Sequence, residues 1–246
     1  MKNIFWIMGR GVSIECGLNW DAKDILNDKS LSQSEQKNLI QKKLIQIQHS
    51  SKINLLPYRE LLQICEKHTV SGVKHVFSTL NWDTLFEQAI NEKNWQMVPY
   101  WLGSSFVYHL NGNSENGDTG DFIENKKLKI RSDISLPNDS INERKKSVEL
   151  NSFISKMVGN KGVVAIVGMS LQNETDKFFE KIFEYYQPMQ LGECDLVIVN
   201  PCGNVLETIV EKFKLFLRKP IVKVEYGFSA WLNKGCPELK EIGVFK

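Results

Sequence analysis

Residues 3–13 have the sequence NIFWIMGRGVS, in which a run of apolar side chains leads directly into two glycines and a serine. A short apolar run that ends at glycine is typical of a buried strand in a parallel sheet. Glycines after such a strand let backbone amides approach a phosphate, and a helix that begins there adds favourable partial charge. The stretch therefore predicts a strand-end loop that binds an anionic ligand.

The same scheme recurs along the chain, where apolar runs alternate with segments of helical period. This alternation predicts an α/β fold: a doubly wound, mostly parallel Rossmann-like sheet. The candidate strands are Asn3–Met8, His75–Leu80, Phe106–Leu110, Val163–Val167, Leu196–Val199 and Ile221–Tyr226.

Two stretches interrupt the alternation. Residues 21–70 show helical spacing, and we expect a helical cap over the first loop. Residues 112–150 are polar and rich in turn formers, which predicts an insertion or a small module. A length of 246 residues is compatible with one domain, so we interpret 1–246 as a single domain that carries both.

Composition excludes several classes of function. The net charge is +2, so no dense basic face is expected and nucleic acid is not a predicted partner. The five cysteines are scattered and lack the spacing of a zinc ribbon, so we expect no metal and reduced thiols. No stretch of about 18 apolar residues predicts a membrane span. We expect a cytoplasmic protein.

The first loop departs from the usual dinucleotide fingerprint. Ile14 stands where a third small residue is expected, and Leu80-Asn81 stands where an acid would end the second strand. A dehydrogenase of the ordinary kind is therefore disfavoured.

Four segments, taken together and in order, resemble the sirtuin family. They are GRGVSIECGL at 9–18, STLNWDTLFE at 78–87, GMSL at 168–171 and VIVN at 197–200. The resemblance spans most of the chain and implies that NAD, or an ADP-ribose-like nucleotide, is the ligand. It implies phosphate and ribose contacts for Gly9, Gly11, Ser13, Gly168 and Ser170, and an adenosine-ribose contact for Asn200.

The resemblance also implies the position of the chemistry. Asn81 would lie beside the nicotinamide ribose, where its carboxamide can position a water or a ribose hydroxyl. Asp83 would either orient Asn81 or cap the following helix, and both alternatives are open.

Three departures bear on activity. The Leu-His-Gly segment of the family is Leu110-Asn111-Gly112 here, and an asparagine cannot act as a general base near neutral pH. His109 would share a face with Asn111 if the strand continued, about 7 Å away, and is the candidate substitute. Arg10 replaces a small residue and would either pair with a phosphate or fill the ligand space. The zinc-binding cysteines of the deacylase branch are absent from 112–162.

We therefore expect an NAD glycohydrolase of the bacterial sirtuin-like type linked to antiphage defence, held inactive through a homo-oligomer or a defence partner protein. The alternative is a catalytically degenerate nucleotide sensor or assembly subunit. A third hypothesis is an ADP-ribosyl transferase that modifies a partner.

Overall fold

The structure, a computed structural model, describes residues 2–92, 107–111, 114, 119–123, 126–130, 134, 136, 153, 157, 162–169, 194–214 and 219–245. The strands are β1 Lys2–Met8, β2 Val73–Thr79, β3 Val107–His109, β4 Thr119–Ile123, β5 Lys126–Ile130, β6 Val163–Val167, β7 Asp195–Val199 and β8 Ile221–Val224. The helices are α1 Arg10–Glu15, α2 Lys23–Asn27, α3 Gln33–Gln48, α4 Leu56–Thr69, α5 Leu85–Glu92, α6 Gly203–Lys214, α7 Phe228–Asn233 and α8 Pro237–Glu241.

Six strands form one parallel sheet in the order β3-β2-β1-β6-β7-β8. The strand order reverses between β1 and β6, and ligands of doubly wound sheets bind outside the strand ends at such a point. The predicted Rossmann-like class is therefore confirmed. All six predicted strands are present, although Phe106 lies outside the described residues.

Both faces of the sheet are buried, because successive side chains of each strand point to opposite sides. In β1, Ile4, Trp6 and Met8 pack in one apolar cluster, whereas Phe5 and Ile7 pack in the other. The first cluster includes side chains of α4 and α7, and the second includes the buried stripe of α6. This double burial explains why the central strands β1 and β6 have continuous apolar runs.

Residues 21–70, the predicted helical cap, contain α2, α3 and α4. Ser32 and Glu35 form a reciprocal capping box that begins α3. Within 112–150, β4 and β5 pair as an antiparallel hairpin. Ile134 and Leu136 of the same segment are buried in the first cluster, so part of it belongs to the core.

Three glycines bring the β1 and β6 ends together. The Gly11 amide donates to the Gly168 carbonyl at 2.8 Å. A Cβ on Gly9 would lie 2.8 Å from the Gly168 oxygen, and one on Gly11 would lie 2.8 Å from the Gly168 Cα. Gly168 has φ +66°, in the left-handed region that other residues rarely adopt. Side chains are thus excluded where the two loops touch.

The close approach of these loops predicts that a side chain at Gly168 destabilises the fold. We expect Gly168→Ala to lower the free energy of unfolding by about 2–5 kcal/mol, since left-handed strain and overpacking add. Gly72→Ala is the matched control: Gly72 has φ +84° but no atom within 4 Å of its would-be Cβ, so strain alone should cost about 1–2 kcal/mol. Urea denaturation measures both, and equal losses would contradict the close approach.

Candidate functional site

A cavity of about 180 Å³ lies between the loop after β1, the loop after β2 and the helical cap. Most of its wall is apolar, and a few polar groups converge on it, which is the usual composition of a small-molecule site. Its lining residues are Gly9, Arg10, Ser13, Leu18, Trp20, Asp21, Ala22, Lys23, Leu26, Leu44, Leu80, Asn81, Trp82 and Asp83.

Asn81 is held in one orientation at the cavity wall. Its Nδ2 donates to the Gly9 carbonyl at 3.1 Å and to Ser13 Oγ at 2.8 Å, which uses both amide hydrogens. The Gly9 carbonyl can only accept, so the amide nitrogen must face it. Oδ1 makes no hydrogen bond to any described residue and is the acceptor that the side chain has left for a ligand.

Ser13 connects Asn81 to a buried acid. Its hydroxyl donates to Asp83 Oδ2 at 2.7 Å, while Asp83 Oδ1 accepts from the Leu85 amide at 3.3 Å. Asp83 therefore both orients the Ser13–Asn81 pair and caps α5, so the two roles left open by the sequence coexist. Burial raises the pKa of the Asp83 carboxyl, against the lowering effect of the Ser13 hydrogen bond.

Neither Asn111, which occupies the expected histidine position, nor His109, the candidate substitute, is among the described residues that line the cavity. His109 is fully buried, with Nδ1 3.3 Å from the Asn81 carbonyl oxygen and Nε2 bonded to Glu87. Asn111 Nδ2 donates to the Leu80 carbonyl at 2.9 Å, while its buried Oδ1 has no partner among the described residues. Because β3 ends at His109, Asn111 does not continue the strand alternation.

The remaining predicted residues take different positions. Gly168 meets Gly9 and Gly11 at the switch point. Asn200 lies after β7, where Nδ2 donates to the Met169 carbonyl at 2.7 Å and Oδ1 accepts from the Cys202 amide at 2.9 Å. Ser170 lies outside the described residues.

The cysteines are free thiols, and burial affects three of them. All five cysteines are free, and burial raises the pKa of Cys16, Cys65 and Cys236, the last to about 12, which disfavours a reactive thiolate at these three positions. No group of three or more His, Cys, Asp or Glu side chains is placed to hold a metal in the described ranges. Over the same ranges, no helix has the length and apolar character to span a membrane.

Comparison of structures bears on the fold. A Sir2 protein bound to a propionylated peptide aligns with a TM-score of 0.52 at 16% identity, over 98% of this chain and 93% of that one. A Sir2 homologue in complex with NAD aligns with a TM-score of 0.51 at 12% identity, over 98% of this chain and 90% of that one. The chain has a sirtuin-like fold. A Sir2 mutant bound to a p53 peptide and NAD aligns with a TM-score of 0.52 at 17% identity, over 98% of this chain and 93% of that one.

No protein-family profile matches the sequence, and no curated protein is similar to it at a significant level. The sirtuin-like fold is therefore visible in three dimensions and in short motifs rather than in overall sequence.

The sequence motifs missed part of the lining of this cavity. Trp20, Asp21, Lys23 and Trp82 all line the cavity. The first three belong to or adjoin residues 21–70, for which the sequence predicted a helical cap over the first loop. Which of these side chains reach the cavity depends on the tertiary path of residues 21–70, and local sequence patterns do not predict that path.

The buried acid predicts a pH effect. A raised native pKa means that Asp83 stabilises the fold most below its unfolded pKa of about 3.9, and that this contribution falls as pH rises through the native value. Asp83→Asn does not titrate and loses one acceptor, at a cost of about 1–3 kcal/mol. The difference in unfolding free energy between wild type and Asp83→Asn should shrink from about pH 4 to about pH 7.5.

Urea denaturation at several pH values measures this difference. Asp28→Asn is a control of opposite sign, because hydrogen bonds from the Ser30 hydroxyl and amide lower the pKa of Asp28. There the wild-type advantage should grow with pH. Growth of the Asp83 difference with pH would contradict the assignment.

Proposed function

We propose that this protein binds NAD in the described cavity and hydrolyses its nicotinamide–ribose bond, releasing nicotinamide and ADP-ribose. The observation that carries the proposal is the fixed carboxamide of Asn81, whose Oδ1 remains available at a cavity beside the switch point of a sirtuin-like sheet. Structural neighbours in complex with NAD support the choice of ligand.

Asn81 Oδ1 acts as a hydrogen-bond acceptor in this scheme. The glycosidic bond breaks with its electron pair leaving on nicotinamide, and the ribose becomes an oxocarbenium ion. A water then adds to the ribose carbon and loses one proton to solvent. Asn81 accepts a hydrogen bond from that water or from a ribose hydroxyl, which contributes by positioning rather than by proton abstraction. Ser13 and Asp83 keep its amide in place.

The glycine loops hold the rest of the ligand in the proposed complex. The diphosphate would lie at the switch point beside Gly9, Gly11 and Gly168, as in other doubly wound folds. Ser170 follows Gly168 and would contact phosphate or ribose, and Asn200 would contact the adenosine ribose. No metal takes part.

A second candidate is a binding module that senses NAD or ADP-ribose without turnover. His109 and Asn111 favour it, because the His109 imidazole does not line the cavity and the Asn111 carboxamide cannot act as a general base. Loss of a general base costs about two to four decades in rate, or about 3–5 kcal/mol of barrier. Cleavage through a dissociative transition state depends less on such a base. Slow hydrolysis therefore remains the first proposal, ahead of the binding module.

The proposed biological role rests on the resemblance to bacterial sirtuin-like proteins of antiphage defence. An enzyme that destroys a central cofactor must be restrained in its host, so we propose a trigger that acts through a homo-oligomer or a partner protein, in bacterial antiphage defence. The free cysteines are typical of a reducing compartment and support a cytoplasmic location.

The direct test is incubation of the purified chain with NAD, with nicotinamide and ADP-ribose followed by chromatography. We expect slow product formation that falls at least about tenfold in Asn81→Ala, because the positioning acceptor is lost. Asn204→Ala is the matched control: Asn204 is exposed on α6, and its removal should leave the rate unchanged.

Intact NAD with a ligand-induced rise in melting temperature would replace the hydrolase with the binding module. Label from NAD on protein, in place of free ADP-ribose, would indicate a transferase.

A further inference from the structure

Arg10 lies at the cavity with part of its guanidinium unused. Nη2 donates to the Trp20 carbonyl at 3.3 Å, whereas Nε is buried and has no partner among the described residues. Nε and Nη2 form one edge of the guanidinium, the edge that binds two oxygens of a carboxylate or phosphate side by side. A single carbonyl oxygen occupies one half of this edge.

The ion pair that holds Arg10 is loose. Nη2 lies 3.8 Å from Asp21 Oδ2, and the two side chains are 42% and 39% exposed. Pairs with this exposure and separation are weak, because solvent screens them. An anion that offers two oxygens to the Nε–Nη2 edge would satisfy both donors and outcompete Asp21.

Asp21 is itself shared between two cations. Lys23 Nζ lies 4.0 Å from the same Oδ2, and all three charged residues line the cavity. Arg10, Asp21 and Lys23 together carry a net charge of +1, and Asp21 lies between the two cations. Asp21 thus neutralises part of the field that a phosphate would meet.

We propose that Arg10 selects ligands that carry a phosphate or diphosphate group, and that Asp21 is an internal anion that such a ligand must displace. This inference rests on the proposed nucleotide site but not on hydrolysis. Of the two roles that the sequence left open for Arg10, it assigns phosphate pairing.

The inference predicts opposite effects for the two partners. Asp21→Asn should tighten ADP-ribose and inorganic pyrophosphate binding about two- to fivefold. The substitution removes the carboxylate that competes for Arg10, and an exposed ion pair of this kind contributes about 0.2–1 kcal/mol. Arg10→Ala should weaken both at least about tenfold. The effect of Asp21→Asn acts through Arg10. In a protein that already carries Arg10→Ala, Asp21→Asn should therefore improve the binding free energy by less than about half of the improvement it gives in wild type.

Isothermal titration calorimetry on the full chain measures these affinities. Asp24→Asn is the matched control, since Asp24 is an exposed acid in the first turn of α2 that does not line the cavity. It should change the affinities by less than Asp21→Asn does. A further control is adenosine, which lacks phosphate and should bind Asp21→Asn and wild type equally.

Unchanged or weaker diphosphate binding by Asp21→Asn would overturn the inference, as would an equal gain in the Arg10→Ala background. Failure of wild type to bind either probe would also overturn it. The fate of NAD is a separate result: the expected affinity pattern without NAD cleavage would reject the hydrolase and leave Arg10 and Asp21 in these roles.

Discussion

The site depends on backbone contact between the ends of β1 and β6. Gly9, Gly11 and Gly168 approach so closely that a Cβ on any one of them would meet backbone atoms of the facing loop within 3 Å. This contact fixes where α1 begins, and with it the position of Ser13. The parallel register then places the β2 end beside β1, since Met8 pairs with Thr79, and the Leu80 amide donates to the Met8 carbonyl at 2.9 Å.

A buried polar network turns that backbone contact into an oriented side chain. Asn81 donates its two amide hydrogens to the Gly9 carbonyl and to Ser13 Oγ, and the Ser13 hydroxyl donates to Asp83. The acceptor that remains on Asn81 belongs to the cavity. Asp83 is buried without an ion-pair partner among the described residues, so the orientation of Asn81 is maintained against a desolvation cost. Groups kept buried in this way are common at functional sites.

The sequence predicted the sheet well because double burial leaves a strong local record in apolar runs. The convergence of Ser13 and Asn81 was also predictable, since both follow parallel strands whose ends share one edge. The position of His109 was not predictable, because its contact with Glu87 depends on a separate helix. The sequence also did not show that β3 ends two residues before Asn111. Asp21 was missed because its meeting with Arg10 requires the chain to fold back over the loop.

The most direct measurement of the central claim is a crystal structure of the chain with ADP-ribose. We expect the diphosphate beside Gly9, Gly11 and Gly168, and a ribose hydroxyl within about 3.2 Å of Asn81 Oδ1. A nucleotide bound elsewhere, or an Asn81 carboxamide that keeps no contact with bound ribose or an ordered water beside it, would contradict the account.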